Sequence, residues 1–481
     1  MDRVRHLRNY DLHSWTGIAL GFFVFIVALS GCFALFDAEI KTWEDPAKRI
    51  TITGEPAPIH ATYEAYVKEM TQDATLLNTS LNFPTVNEPY YTAYVGLDYD
   101  DDRPNEFVSR RWSAETGEAL PEHGEGLSVW LLDFHRDLMW PDQLGGRTVG
   151  RSLVGIIGII LMLAIISGVV AHTKIFQELF SLRYWRSVRL KWQDTHKVAG
   201  LWGLPFFGMI SFTGAYLGVI VILAPVVALL AFKGDQTALV EAVIGKPTEA
   251  AGIEATMMPV DSLSQYVHPE SGAKPDRVVV NHWGDEAATY DLLYHADKKL
   301  AYFDSYSISA VTGEAVHSQV FDRSSPATRV SNAITPLHYA TYGGKYGSFG
   351  AIALKLVYFL LGLALAIITA MGNMMWIERR KNGNEGSKSP AFYHRLGRFN
   401  VGVTTGMAFA TASIFYLDKL YLGAEASRVT ATGWTYFGVW FAVIFYALIR
   451  ENEYRTVRDM LALTGLAFMG IPFLLRAPRW E

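Results

Sequence analysis

The chain has 481 residues, with 13 histidines and a single cysteine, and 42 basic against 47 acidic residues leave a net charge of −5. One cysteine, Cys32, excludes a disulfide framework, a Cys-x-x-Cys redox pair, a thiolate zinc site, an iron–sulfur cluster and covalently attached haem, each of which needs at least two. The lack of basic excess argues against a nucleic-acid partner, and 19% charged residues beside 13% aromatic ones is not the balance of a soluble protein.

In chain order, apolar runs long enough to cross a bilayer core, which takes about 20 residues as a helix, are Thr16–Phe36, Val149–Ala171, Val198–Phe232 and Phe349–Ile377. Three shorter runs follow at Phe399–Leu417, Thr432–Ile449 and Met460–Leu474, giving seven expected spans, the last of them short and interrupted by Pro472. The first run is too long for a signal-peptide apolar region, so it reads as a retained anchor. Lys and Arg concentrate before the first run (Arg3, Arg5, Arg8), in residues 174–197 (Lys174, Arg183, Arg186, Arg189, Lys191, Lys197) and in residues 378–398 (Arg379, Arg380, Lys381, Lys388, Arg395, Arg398). By the positive-inside rule these share the cytoplasmic side.

The expected division is therefore residues 1–36 as N-terminus and first span, 37–148 as a first exported domain, and 149–232 as two spans with a cytoplasmic loop. Residues 233–348 make a second exported domain, 349–377 a fourth span, 378–398 a cytoplasmic loop and 399–481 three further spans. Strand signals in the exported segments are Tyr90–Leu97 and Glu106–Trp112, then Arg277–His282, Thr289–Tyr294 and Ala301–Ser307, separated by turn residues. They predict two small α+β domains. Cytoplasmic loops of this length cannot house a flavin or nicotinamide domain of ~100 residues.

An internal duplication organises the chain. Asp11-Leu-His13-Ser-Trp-Thr-Gly17 recurs as Asp194-Thr-His196-Lys-Val-Ala-Gly200, each followed by a Ser/Thr-Gly pair, Ser30-Gly31 and Thr213-Gly214. Ser113-Ala-Glu-Thr-Gly-Glu-Ala-Leu120 recurs as Ser309-Ala-Val-Thr-Gly-Glu-Ala-Val316, and after these copies come His135 and His338. Gly158 and Gly168 match Gly362 and Gly372. Helix–domain–helix repeats in one orientation imply a pseudo-two-fold axis along the membrane normal. Such an axis sets His13 opposite His196 near the cytoplasmic surface and His135 opposite His338 near the outer one.

Two imidazoles at one depth in a helical bundle are what axial ligation of a haem iron requires, and without cysteine the consistent cofactor is b-type. Two such pairs make a path for electrons across the membrane. Asp11 and Asp194 stand two residues before His13 and His196 and could orient the imidazoles as carboxylates beside metal ligands do. The glycines would clear space for a flat ligand or let helices approach. His172, where the repeat has Trp376, is an alternative or neighbouring ligand, a propionate contact or structural; a third haem would recruit it or His394. Arg136, Arg147 and Lys345 could neutralise propionates or simply meet lipid and solvent. Thr116-Gly117-Glu118 and Thr312-Gly313-Glu314 read as β-turns, and Trp130, Trp140, Tyr339, Tyr342 and Tyr346 as interface anchors. The remaining histidines (His6, His60, His123, His268, His282, His295, His317) lack repeat support and read as surface residues.

The chain resembles the PepSY-associated transmembrane proteins, the iron-regulated membrane proteins that include bacterial inner-membrane ferri-siderophore reductases. The resemblance rests on Leu12-His-Ser-Trp-Thr-Gly17, the two Ser-Ala-x-Thr-Gly-Glu elements, Leu132-Asp-Phe-His-Arg-Asp-Leu138 and Ile166-Ser-Gly-Val-Val-Ala-His172-Thr-Lys-Ile-Phe176. Asp194-Thr-His196 and Leu337-His338-Tyr complete it, over residues 5–378. It implies a polytopic α-helical fold whose four-helix core holds two b-haems with bis-histidine ligation, with PepSY-like domains in the periplasm. His13 and His196 match the inner ligands, with His172 a third family-like position, and His135 and His338 match the outer ones. The implied activity is outward electron transfer that reduces a ferric siderophore and releases Fe(II). The donor would be quinol or a separate cytoplasmic reductase, and another periplasmic acceptor is an alternative. A haem-free protein whose PepSY-like domains bind peptides or regulate proteases is the rival from another class. A transporter is a weaker one, since the spans lack buried charge at mid-membrane.

Overall fold

The computed structural model describes residues 3–52, 54–85, 88–99, 105–121, 126–172, 175–180, 183, 188–239, 249–295, 300–301, 303–320, 326–344, 347–381, 388–421, 423–424 and 427–474. His123, Lys174, Arg186, Lys345 and Tyr346 lie outside them. The helices are α1 (Arg3–Ala34), α2 (Asp37–Glu44), α3 (His60–Met70), α4 (Leu127–Asp137), α5 (Gly146–Ala171), α6 (Ile175–Glu178), α7 (Val188–Trp202), α8 (Leu204–Ala231), α9 (Pro326–Tyr339), α10 (Phe349–Lys381), α11 (Pro390–Leu420), α12 (Arg428–Ile449) and α13 (Glu453–Leu474). Two compact units emerge, one of Met1–Glu44, Gly124–Leu223 and Ile352–Glu481, the other of Asp45–His123 and Ala224–Ala351.

In the first, helical unit the spans follow the apolar runs with two corrections. The third run is not one helix: Gly203 separates α7 from α8, and the apolar span begins at Leu204. Pro205 has no N–H to donate back, so it suits the first turn of a new helix, and the Phe207 ring fills the space over Gly203 where a Cβ would stand. Among the described helices six rather than seven are both long and apolar enough to cross a membrane. The exception is α11, whose 31 residues would span but whose face is too polar. That face is internal: Thr404, Thr405, Thr411 and Ser413 donate to carbonyls of their own helix at 2.8–3.0 Å. Trp440 of α12 donates to the Val403 carbonyl at 3.0 Å. Satisfying each hydroxyl within the helix is what lets such a sequence lie at membrane depth. α13, despite Pro472, is a single helix.

The helical core runs through Phe25 and Leu29 of α1, Trp130 and Phe134 of α4, Met407 and Ile414 of α11, and Tyr436 and Trp440 of α12. Trp130 is therefore not an interface anchor. It is 1% exposed, 4.4 Å between ring centres from Tyr436 and 5.1 Å from Phe134.

The second unit corrects the expectation of two small α+β domains. Strands β1 (Thr75–Asn82), β2 (Tyr90–Asp98), β3 (Glu106–Ser113), β4 (Arg277–Asn281), β5 (Thr289–His295), β6 (Phe303–Ser309) and β7 (Ala315–Gln319) form one antiparallel sheet in the order β3-β2-β1-β4-β5-β6-β7. The two segments join where β1 pairs with β4, Thr79 opposite Val280 through Asn82 opposite Arg277. β1–β2–β3 and β4–β5–β6 are matching halves, and antiparallel pairing of equivalent strands is what a two-fold axis through that pair produces. The predicted strands hold to within two residues, whereas β1 escaped because its Asn-rich sequence has weak strand preference. Its Leu81 and Thr79 are nonetheless buried, with Tyr63 of α3 packed over them and its hydroxyl 2.7 Å from Thr79 Oγ1.

The Thr-Gly-Glu copies are the turns expected. Gly117 and Gly313 take φ of +70° and +76°. Ser113 and Ser309 each accept two backbone N–H groups, from Glu115 and Thr116 and from Val311 and Thr312.

Candidate functional site

His13 of α1 and His196 of α7 meet, their ring centres 6.2 Å apart and their planes at 72°. Each imidazole is held in the same way. His13 Nδ1 lies 2.8 Å from the carbonyl of Ala164 on α5, and His196 Nδ1 lies 2.9 Å from that of Ile368 on α10. Four residues on, Gly168 and Gly372 present bare backbone to the same rings, and a Cβ there would come within 3.0 Å of His13 and 3.3 Å of His196. In an α-helix the carbonyl of residue i−4 accepts the N–H of residue i. A glycine at i thus uncovers that oxygen for a second donor.

His135 of α4 repeats the device against α1. Its Nδ1 is 3.0 Å from the carbonyl of Val27, and a Cβ on Gly31, four residues on, would sit 2.8 Å from the imidazole. Ser30 adds a hydroxyl 3.2 Å from Nδ1 that also donates to Val27 O at 3.1 Å. Three histidines therefore direct Nδ1–H at a carbonyl, which fixes the tautomer and leaves Nε2 as the nitrogen able to bind a metal.

α4 itself is fixed at its start by Glu44, whose buried carboxylate accepts the N–H groups of Gly126 at 3.2 Å and Ser128 at 2.8 Å. Along α1, Gly31 stands 18 residues after His13, a rise of about 27 Å at 1.5 Å per residue. The two histidine levels are thus separated by nearly the thickness of a hydrocarbon core.

His338 lies on α9, its ring 5.4 Å from that of Tyr339, and belongs to the second unit. His172 follows the last residue of α5, its N–H bonded to Val169 O at 3.1 Å. His394 is exposed on α11.

Several expectations need correction. The aspartates do not orient the imidazoles: two positions apart on a helix, side chains point roughly 200° away from each other. Asp11 is exposed, and Asp194 binds Arg183 instead, at 2.9 Å to Nε, 2.7 Å to Nη2 and 2.8 Å to the backbone N–H, which holds its carboxyl below the ordinary range. Arg136 and Arg147 are engaged with Asp133, Arg147 at 2.8 Å. Gly17 and Gly200 touch neither ring nor helix; a Cβ on either would meet no neighbour. His268 is not on the surface: it is 5% exposed, with Nε2 3.2 Å from Asp304 Oδ2 and Nδ1 accepting the N–H groups of Glu270 and Ser271.

Sequence reading found the histidines and glycines but missed the carbonyl partners and Glu44. The Gly-minus-four spacing was the signal for the former; nothing local marks the latter.

The donor set suits a haem. Among the described residues no three His, Cys, Asp or Glu side chains gather as a metal site, so this pair of nitrogens would need a metal whose other positions are filled by its own ring.

Comparison with known proteins agrees in extent with the duplicated region. An uncharacterized protein of Pseudomonas aeruginosa is 25% identical over 359 residues, covering 72% of this chain and 86% of that one. Residues 10–379 match the PepSY-associated TM region, and the chain accordingly belongs to that family of multi-pass membrane proteins.

Proposed function

We propose that this protein is an inner-membrane electron carrier that holds two b-type haems and reduces a periplasmic acceptor, a ferric siderophore being the acceptor that fits best. The observation that carries this reading is the pair His13 and His196, 6.2 Å apart with both Nδ1 atoms committed to carbonyls.

His13 and His196 would hold the inner haem and His135 the outer one, with His338 as the second outer ligand only on the strength of the sequence repeat. When bound, haem would supply one-electron chemistry at its iron. The chain's own residues do the rest. Ala164, Ile368 and Val27 lock the imidazole tautomers, and Gly168, Gly372 and Gly31 admit the rings. The Lys- and Arg-rich loops support an inner level on the cytoplasmic side and a sheet unit in the periplasm. Quinol or a separate reductase is the donor: a quinol gives two electrons and two protons and becomes quinone, enough for two turnovers. In each turnover one Fe(III) chelate takes one electron and becomes Fe(II), a poorer match for hard oxygen ligands, which then leaves.

The test is the visible spectrum of the purified protein with dithionite. A b-type α-band and two haems per chain are expected, falling to one in His13→Ala or His135→Ala. A colourless protein would overturn the proposal in favour of a haem-free, peptide-binding PepSY protein.

A further inference from the structure

The residue preceding each ring-bearing glycine differs among the helices in one way. Ser30 before Gly31 donates to Val27 O at 3.1 Å, and Ser167 before Gly168 donates to Ala164 O at 3.1 Å. Thr213 before Gly214 donates chiefly to Met209 O at 2.9 Å and at 3.3 Å to Ile210 O. For the two serines the oxygen is that of the fourth residue before the glycine. For Ser30 and Ser167 it is also the oxygen that takes a histidine Nδ1–H, from His135 and His13. On α10 the position is Met371, which has no hydroxyl, and the Ile368 carbonyl receives His196 without a competing side-chain donor from that position. All three hydroxyl residues are buried, so water does not replace them.

We propose that this residue sets the electron donation of the histidine, and that Met371 makes the inner centre the lower-potential one, so that electrons run outward downhill. The inference rests on the haem reading above. A carbonyl oxygen has two lone pairs; in a helix one is occupied by the backbone N–H, and a serine hydroxyl competes with the imidazole for what remains. A weaker Nδ1–H···O bond leaves the metal-bound imidazole a poorer donor, which favours the reduced iron; a stronger one favours the oxidised iron. Ser167 and Met371 thus act as positioning residues: neither touches the metal, and both act through the carbonyl shared with a ligand. His13 has the weakened bond and His196 the full one, whereas at the outer level the bond of His135 is weakened by Ser30.

Redox potentiometry of the purified full chain, followed at the haem α-band, tests this. Two waves are expected. Met371→Ser raises the lower wave toward the upper one and leaves the upper in place. Ser167→Ala lowers the lower wave further, whereas Ser167→Thr and Met371→Leu, which keep or omit the hydroxyl as the natural residues do, leave both waves where they were. Two haems whose lower wave does not respond to Met371→Ser or Ser167→Ala, or whose upper wave moves instead, would overturn the inference while the haem reading stands. Absence of haem altogether would instead defeat the reading beneath it. If Met371→Ser does not fold, the Ser167 pair decides alone.

Discussion

At the residue scale, glycine does two different jobs in this chain. Gly168 is required by a neighbour: a methyl group there would press on the His13 ring at 3.0 Å, an overpacking of the kind that costs about 1–3 kcal/mol. Gly168→Ala is expected to displace the imidazole, and haem quantitation should fall from two per chain to one. Gly117 and Gly313 are required by their own backbone, at φ +70° and +76°. Alanine at Gly117 should cost about 1–2 kcal/mol from the left-handed conformation alone. At Gly313 it should cost more, because the added carbon would also meet Tyr266 Oη at 2.5 Å. Comparing the melting temperatures of the two variants checks the order. The histidines and the Thr-Gly-Glu turns were legible because duplication marks them, and their partners were not, because a backbone carbonyl has no letter in the sequence.

At the scale of elements, α4 depends on a residue 83 positions before its first described turn residue, Glu44 serving Leu127's helix through Gly126 and Ser128. Glu44→Ala removes the acceptor for two N–H groups at a helix start, a loss of about 1–2 kcal/mol. The outer haem, read by its α-band, should be lost before the inner one. In the sheet unit Asp285 clamps the approach to β5. Its carboxylate accepts N–H groups from Ala287 at 2.7 Å, Ala251 at 2.9 Å and Gly252 at 2.7 Å, which lowers its pKa below the ordinary 3.8. A lowered folded pKa means the contribution is full above 3.8 and fades as pH falls through the folded value. The sheet unit should therefore lose stability on acidification in that window, and Asp285→Asn should flatten that part of the pH profile. Strands β2 through β6 were readable from alternation, but the joining of the two halves was not. β1 and β4 are separated by nearly two hundred residues, and their pairing follows from fold symmetry rather than from local preference.

At the scale of the whole molecule, each unit has a separate hydrophobic core, that of the sheet around Tyr63, Leu81 and Tyr290 and that of the helices around Trp130, Met407 and Tyr436. Urea should accordingly abolish the fluorescence signal of Trp112 and Trp283 at concentrations that leave the helical circular dichroism in place, and a single concerted transition would contradict two independent cores. The pairing of β1 with β4 has a consequence of another kind. Equivalent strands of two copies, laid antiparallel and contacting each other residue for residue, are the isologous interface of a symmetric homodimer. This chain carries that interface internally, with covalent linkage in place of association. Its two halves have therefore been free to diverge, Met371 on one side and Ser167 on the other, while a dimer of identical subunits would have been obliged to keep them the same.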